Sequence, residues 1–269
     1  MGFTVLMSLY DKESPDFLKE SLDSLIRQTL VPDEIVIVED GPVGKSLESV
    51  LQEFGRRYDA LKIIRLPQNQ GLGDALNEGL KHCSNDLVAR MDTDDIAKPE
   101  RFRKQVEFME SHPDIDVISA WIEEFEGNTG NVTSIRKLPE THEEILKFAK
   151  FRNPINHPVA MFRKSAVIKA GNYRKFLLFE DYYLWARMQM NGSKFHNIQE
   201  SLLYFRSSPD MFGRRGGWKY ARDEFKFQKE LHKMGLISFP EFIKNETTRF
   251  GVRIVPNFLR KFLYRKLMR

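Results

Sequence analysis

Cysteine is almost absent from this 269-residue sequence, which has only Cys83. A lone thiol excludes an internal disulfide framework and fits a reducing compartment. Long apolar runs are missing as well. No stretch approaches the roughly 20 residues a transmembrane helix needs. The apolar opening, Phe3 to Leu9, stops at Tyr10-Asp11-Lys12-Glu13 and does not read as a signal peptide. There is no internal repeat and no low-complexity tract to indicate disorder. Acidic residues are lacking in one region only. Residues 249–269 hold Arg249, Arg253, Arg260, Lys261, Arg265, Lys266 and Arg269 and no Asp or Glu. Subtracting those seven from the net charge of +4 leaves the rest of the chain at −3. Basicity is thus a C-terminal feature, which argues against a general nucleic-acid-binding surface.

What is present suits one large domain, with a hydrophobic content of 41% that can build a core. The first hundred residues alternate strand and helix. Apolar strands are expected at Phe3–Ser8, Glu34–Glu39, Lys62–Leu66 and Leu87–Met91. Between them, Leu18, Leu22, Leu25 and Ile26, then Leu47, Leu51 and Phe54, then Ala75, Leu76 and Leu80 recur at helical spacing, and a further helix starts at Pro99. This order predicts an α/β fold, a mostly parallel sheet with helices on both faces. After Asp116 the pattern is mixed. A hairpin is expected over Val117–Phe125 and Val132–Ile135, and strands at Lys194–Ile198 and Leu202–Phe205. Helices are expected at Glu143–Lys150, Lys164–Ala170, Glu180–Met190 and Trp218–Met234. We divide the chain into a catalytic domain, 1–239, with halves 1–115 and 116–239, and a basic amphipathic arm, 240–269.

Ligands of parallel sheets bind beyond the carboxyl ends of the strands, so those ends carry the candidate chemistry. Asp92-Thr93-Asp94-Asp95 packs three carboxylates into four residues. A hard cation with oxygen ligands, Mg²⁺ or Mn²⁺, would relieve their repulsion; the alternative is a solvated turn that caps the next helix. Asp40, in Glu39-Asp40-Gly41, is placed to accept hydrogen bonds from a base or ribose, or to shape the turn ahead of the next helix. Asn69-Gln70-Gly71-Leu72-Gly73 permits close backbone approach at a helix N-terminus but lacks the dinucleotide fingerprint. Glu180-Asp181 opens a helix, as a cap or as a source of a general base. His157 sits in a proline-bracketed loop, Asn153 to Pro158, and is either structural or functional. Arg214-Arg215-Gly216-Gly217 is an exposed loop or a cationic lid over a diphosphate.

Taken in order, these pieces resemble the family 2 glycosyltransferases of the GT-A fold over roughly residues 3–235. The resemblance rests on Ser8-Leu9-Tyr10, Arg27-Gln28-Thr29, Glu39-Asp40-Gly41, Asn69–Gly71 with Asn77–Gly79, Asp92–Asp95 with Pro99–Arg101, and Glu180-Asp181. Asn153–Pro158, Glu180–Tyr182 and Tyr204-Phe205-Arg206 followed by Arg214–Gly217 narrow it to bacterial enzymes that extend lipid-linked O-antigen, capsule or exopolysaccharide units.

The resemblance implies a nucleotide-binding first half, an acceptor-binding second half, a UDP-sugar donor and Mn²⁺ or Mg²⁺. Ser8 and Tyr10 would line the uridine, Asp40 would read uracil or ribose, and Asn69, Gly71, Asn77, Asp92, His157, Arg214 and Arg215 would belong to the donor site. Asp94 would hold ribose or donor sugar and share the metal with its direct ligand, Asp95. Asp181, with Glu180 as the second candidate, would take the acceptor's proton in a single inverting displacement. The departures are Ser8-Leu9-Tyr10-Asp11 in place of Pro-x-Tyr-Asn, Leu76 where an Arg often precedes the second Asn, and Phe205-Arg206 near the usual late His ligand. Rival readings are a sugar nucleotidyltransferase, which would want a Gly-rich basic loop where Tyr10–Glu13 stands, and a non-catalytic glycan-binding relic. In the arm, Val255, Phe258, Leu259, Phe262, Leu263 and Leu267 recur at helical spacing among the basic residues. They point to peripheral attachment at the inner face of the cytoplasmic membrane.

Overall fold

The computed structural model describes residues 1–176, 178–207 and 217–254. Arg214, Arg215 and the apolar-basic stretch from Val255 onward lie outside the described residues.

Strands β1 (Phe3–Leu9), β2 (Glu34–Glu39), β3 (Leu61–Arg65) and β4 (Leu87–Arg90) alternate with helices α1 (Pro15–Ile26), α2 (Lys45–Gly55) and α3 (Leu72–His82). They pair in parallel in the order β3-β2-β1-β4. The two-residue period of a strand sends Val5, Met7 and Leu9 to one face, under α1 and α2, and Leu6 to the other, with Val36, Val38 and α3. Helix α3 lies very close to the sheet. A Cβ on Gly79 would stand 2.4 Å from Leu6 Cδ1 and 2.8 Å from Val38 Cγ2, so any added side chain would force these buried neighbours to shift.

Next come β5 (Ile96–Ala97) and α4 (Arg101–Ser111). Helix α4 begins two residues after Pro99 because its start is capped from outside. Gln28 Oε1 accepts the Phe102 N–H at 3.3 Å, Gln28 Nε2 donates to Lys98 O at 2.9 Å, and the Thr29 N–H donates to Pro99 O at 2.9 Å. The Arg27-Gln28-Thr29 motif therefore stitches the end of α1 to the start of α4.

The second half adds β6 (Val117–Phe125), β7 (Val132–Arg136), α5 (His142–Ala149), β8 (Met161–Arg163), α6 (Lys164–Lys169), α7 (Glu180–Met190), β9 (Phe195–Arg206), α8 (Trp218–Lys233) and α9 (Phe239–Ile254). Here the parallel order ends. β8 inserts antiparallel between β4 and β6, β6 runs parallel to β9, and β5 closes on β9 antiparallel. The strands expected at 194–198 and 202–205 are one strand. Ile198 pairs with Ala120 and Ser201 with Trp121, so Gln199 and Glu200 form a bulge and not a turn.

Core residues from both faces of the sheet are covered by helices. A third, aromatic cluster joins α7 to α8 through Phe179, Tyr182, Phe227 and Leu231, with the Phe179 and Phe227 rings stacked at 4.7 Å, and Phe242 of α9 packs against it. Among the described residues, no helix is long and apolar enough to cross a membrane.

Candidate active site

Strand β4 ends at Arg90, and the chain then releases Asp92-Thr93-Asp94-Asp95 at the carboxyl edge of the sheet. Neighbours hold this turn: Ser21 Oγ donates to Asp92 O at 3.2 Å and Thr93 Oγ1 to Glu13 at 2.9 Å. Oxygens of Asp92, Asp94 and Asp95 all lie within 4.8 Å of one another. Burial and the charges of Asp92 and Glu13 push Asp94 up to about 7. Complete burial, with Asp94 and Asp92 beside it, raises Asp95 well above the ordinary carboxylate value.

Asp95 Oδ1 accepts the Arg206 N–H at 2.9 Å, while Oδ2 is buried without a hydrogen-bond partner. Water-excluded oxygens without donors are costly. Three clustered carboxylates, one with such an oxygen, fit a hard divalent cation. Arg206, part of the Phe205-Arg206 departure, bonds to the acidic turn instead. Its Nε donates to Asp94 O at 2.9 Å, its Nη2 pairs with Glu20 at 2.5 Å, and its guanidinium lies 3.9 Å from the Phe17 ring. It braces the acidic turn by its backbone and side chain, and its guanidinium, which has donors only, offers a cation no ligand atom.

Behind the cluster is a buried polar wall. Arg90 forms an ion pair with Asp92, and its Nε and Nη1 are buried without partners. Arg101 Nη2 donates to Arg90 O at 2.6 Å, and burial lowers this guanidinium to about 9 against the pull of Asp95. His157 belongs to the same wall. Its Nε2 lies 2.9 Å from the Tyr173 hydroxyl, and burial beside Arg90 holds it well below the usual histidine value, as neutral imidazole.

Asp40 is buried, and both its oxygens are engaged. They accept the amides of Gln70 at 2.6 Å and Gly71 at 3.0 Å, and Asn69 Nδ2 donates to Asp40 O at 3.2 Å. Asp40, Asn69 and Gly71 therefore form one unit that shapes the N-terminus of α3. Gly71 has φ +96°, with nothing within 4 Å of its missing Cβ. Ser8 is half-buried near the end of β1, and Tyr10 is exposed just beyond it. Asn77 is occupied at both ends, donating to Tyr173 O at 2.8 Å and accepting the Tyr173 N–H at 2.9 Å. It anchors the 171–173 segment to α3.

The second acidic pair opens α7. Glu180 packs on Gly73, where a Cβ would meet Glu180 Cγ at 3.4 Å, and burial with Asp181 beside it pushes Glu180 up to about 7. Asp181 Oδ2 accepts Asn153 Nδ2 at 2.6 Å and Oδ1 accepts the Tyr182 N–H at 2.7 Å. Tyr173 is buried, and the charges of Arg90, Asp181 and Asp92 all act on its phenol. Sequence reasoning missed Glu13, Arg90, Tyr173 and the bracing role of Arg206. Arg90 carried a usable signal, since a cation inside an apolar strand requires a buried counter-charge.

Comparison with known proteins places this geometry. Residues 4–171 match Glycosyl transferase family 2. The chain is 43% identical over 267 residues to an Escherichia coli UDP-Gal:alpha-D-GlcNAc-diphosphoundecaprenol beta-1,3-galactosyltransferase, covering 99% of this chain and 96% of that one. It is 41% identical over 267 residues, 98% of each chain, to the amylovoran biosynthesis glycosyltransferase AmsE of Erwinia amylovora. In fold it is similar to residues 1–349 of S. aureus TarS in complex with UDP-GlcNAc, with TM-score 0.67 and 18% identity over 93% of this chain and 72% of that one. The chain belongs to glycosyl transferase family 2, and its fold is the GT-A arrangement expected from its motifs.

Proposed function

We propose that the protein is an inverting, metal-dependent hexosyltransferase. It moves a hexose or N-acetylhexosamine from a UDP-sugar to a lipid-diphosphate-linked saccharide, extending a surface-polysaccharide repeat unit. The acid cluster carries the catalytic reading: three carboxylates within 4.8 Å at the carboxyl edge of a parallel sheet. The acceptor class is supported by the Escherichia coli relative, whose name specifies a GlcNAc-diphosphoundecaprenol substrate.

Ser8 and Tyr10 line the uridine, and the loop organised by Asp40, Asn69 and Gly71 closes its other side. Asp94 and Asp95 would hold Mn²⁺ or Mg²⁺, with Arg90 balancing Asp92, and a cation bound there would supply positive charge to the diphosphate. Asp181 accepts the acceptor hydroxyl's proton as that oxygen bonds to the anomeric carbon and the bond from that carbon to the UDP oxygen breaks. One base facing one leaving group gives inversion, since retention by double displacement needs a second carboxylate as nucleophile.

The test is a UDP-sugar panel with Mn²⁺, reading UDP release with and without a GlcNAc-diphosphate-lipid acceptor, and the anomeric configuration of the product by NMR. Acceptor-dependent UDP release with inverted configuration is expected. Activity undiminished in excess EDTA would refute the metal-dependent reading, and retained configuration the inverting one.

The location we propose is the inner face of the cytoplasmic membrane, through the basic-apolar stretch 255–269. Arg249 is not available for that purpose, being buried and paired with Glu224. Deletion of 255–269, sparing Arg249, should reduce binding to anionic liposomes while leaving transfer to a short soluble acceptor intact. Equal partitioning of both forms would refute the anchor.

A further inference from the structure

The carboxyl end of α5 is held by side chains from two other helices. A helix leaves its last carbonyls without intrahelical donors, and at a surface water takes that place. Here Tyr182 Oη of α7 donates to Ala149 O at 2.5 Å, Asn245 Nδ2 of α9 to Lys150 O at 2.8 Å, and Arg249 Nη2 of α9 to Phe151 O. Glu241 of α9 adds an ion pair with Lys150 Nζ at 2.9 Å. Glu241, Asn245 and Arg249 are spaced four apart and so share one face of α9. That face is fixed in turn: Arg249 Nη1 pairs with the buried Glu224 of α8 at 2.5 Å, and Asn245 Nδ2 also donates to Gln228 Oε1 at 2.9 Å.

Two residues beyond this grip stands Asn153. Its Oδ1 accepts the Ile155 N–H at 3.3 Å, and Pro154 restricts its backbone to extended conformations. With the amide oxygen so engaged, its Nδ2 donates to Asp181 Oδ2 at 2.6 Å. We propose that Asn153 is a positioning residue for Asp181, and that Asn245 and Arg249 of α9 act through it by fixing segment 149–153. The inference rests on the reading of Asp181 as the base. It gives the first part of the C-terminal region a role in catalysis distinct from any role of the stretch after it.

Sugar transfer by the full chain, with UDP-sugar, Mn²⁺ and a lipid-diphosphate saccharide acceptor, tests this. Asn153→Ala should lower kcat by roughly 10–100-fold, the scale of a small misplacement of a reacting group, with KM for the donor unchanged. Arg249→Lys keeps a cation beside Glu224 but loses the forked reach to Phe151 O, and should lower kcat by a smaller factor, again at constant KM. Asn245→Ala should behave likewise, giving a second variant should Arg249→Lys fold poorly. The double variant Asn153→Ala/Arg249→Lys should be no slower than Asn153→Ala alone, because the route is already cut. Losses that multiply in the double variant, or a lower Tm with kcat of the folded enzyme unchanged, overturn the proposal. Near wild-type transfer by Asp181→Asn would instead overturn the base assignment, and the clamp with it. Full activity of Asn153→Ala, with Asp181→Asn inactive, overturns the clamp alone.

Discussion

The two halves of the molecule build their parts of the site by different means. In residues 1–115 the candidate groups stand at the ends of parallel strands, and the backbone delivers them: Ser8 near the end of β1, Asp40 after β2, and the acidic turn after β4. In the second half one strand end, Arg206 of β9, braces the acidic turn, and the second acidic pair is placed in another way. Asp181 and Glu180 begin a helix whose start is bonded to Asn153 and Ala149, in a segment that α9 in turn grips at Lys150 and Phe151. A parallel sheet positions ligands by topology, whereas a mixed region must position them by individual hydrogen bonds. The first half should therefore govern donor binding and the second half the transfer step.

Asp181→Asn challenges this division most directly. The substitution is nearly isosteric, and loss of a general base lowers transfer by roughly 10²–10⁴. UDP binding in Mn²⁺, measured by calorimetry, should stay close to wild type. If binding falls in step with rate, Asp181 belongs to the donor site and the division breaks. Asp95→Ala is the converse. It should lower transfer on the order of 10²–10³, the scale of losing a preorganised electrostatic partner, and weaken UDP binding in Mn²⁺ as well. A variant that transfers slowly but binds UDP–Mn²⁺ normally would move Asp95 out of the donor site.

Two smaller effects sharpen the contrast through stability. Gly79→Ala drives a methyl into Leu6 and Val38 of the parallel sheet. Overpacking of this kind costs roughly 1–3 kcal/mol, to be read as a lower urea midpoint with unchanged m. In the second half, Glu246 on α9 has a buried Oε1 without a partner. Burial, with Glu224 beside it, raises its pKa from 4.5 to about 7 despite Arg249. Because the folded value is the higher one, the folded state binds the proton more tightly. The stabilising contribution is complete below 4.5 and is lost as pH rises through 7. Glu246→Gln should thus raise Tm at pH 8 and change it little at pH 4.5; an equal effect at both would show that the carboxyl titrates normally.

Much of the first half was legible because its signals are local. Glu34–Glu39 reads as an apolar strand, Leu18, Leu22 and Leu25 as one face of a helix, and three acids in four residues as a charge problem that needs a solution. What stayed hidden depends on contacts far along the chain. β5, of two residues, and β8, of three, are too short for any periodicity to appear. Gln199-Glu200 reads as an interruption, and only the register against Trp121 makes it a bulge. Asp40 and Asn77 were found as residues, but their partners, the Gln70 and Gly71 amides and the Tyr173 backbone, lie 30 or more positions away. The grip of Asn153 on Asp181 spans 28 positions and leaves no mark in either local pattern.

The bond between the Arg206 amide and Asp95, 111 positions apart, sets an order in time. A chain emerging from the ribosome presents its four parallel strands and its acidic turn long before β9 exists to brace them. Until residue 206 arrives, three carboxylates repel one another at the end of β4, and β5 has no neighbour to pair with. Closing so distant a contact is slow compared with local helix formation. The nascent chain should therefore gain its parallel sheet early and the bracing of its acidic turn only after β9 has emerged.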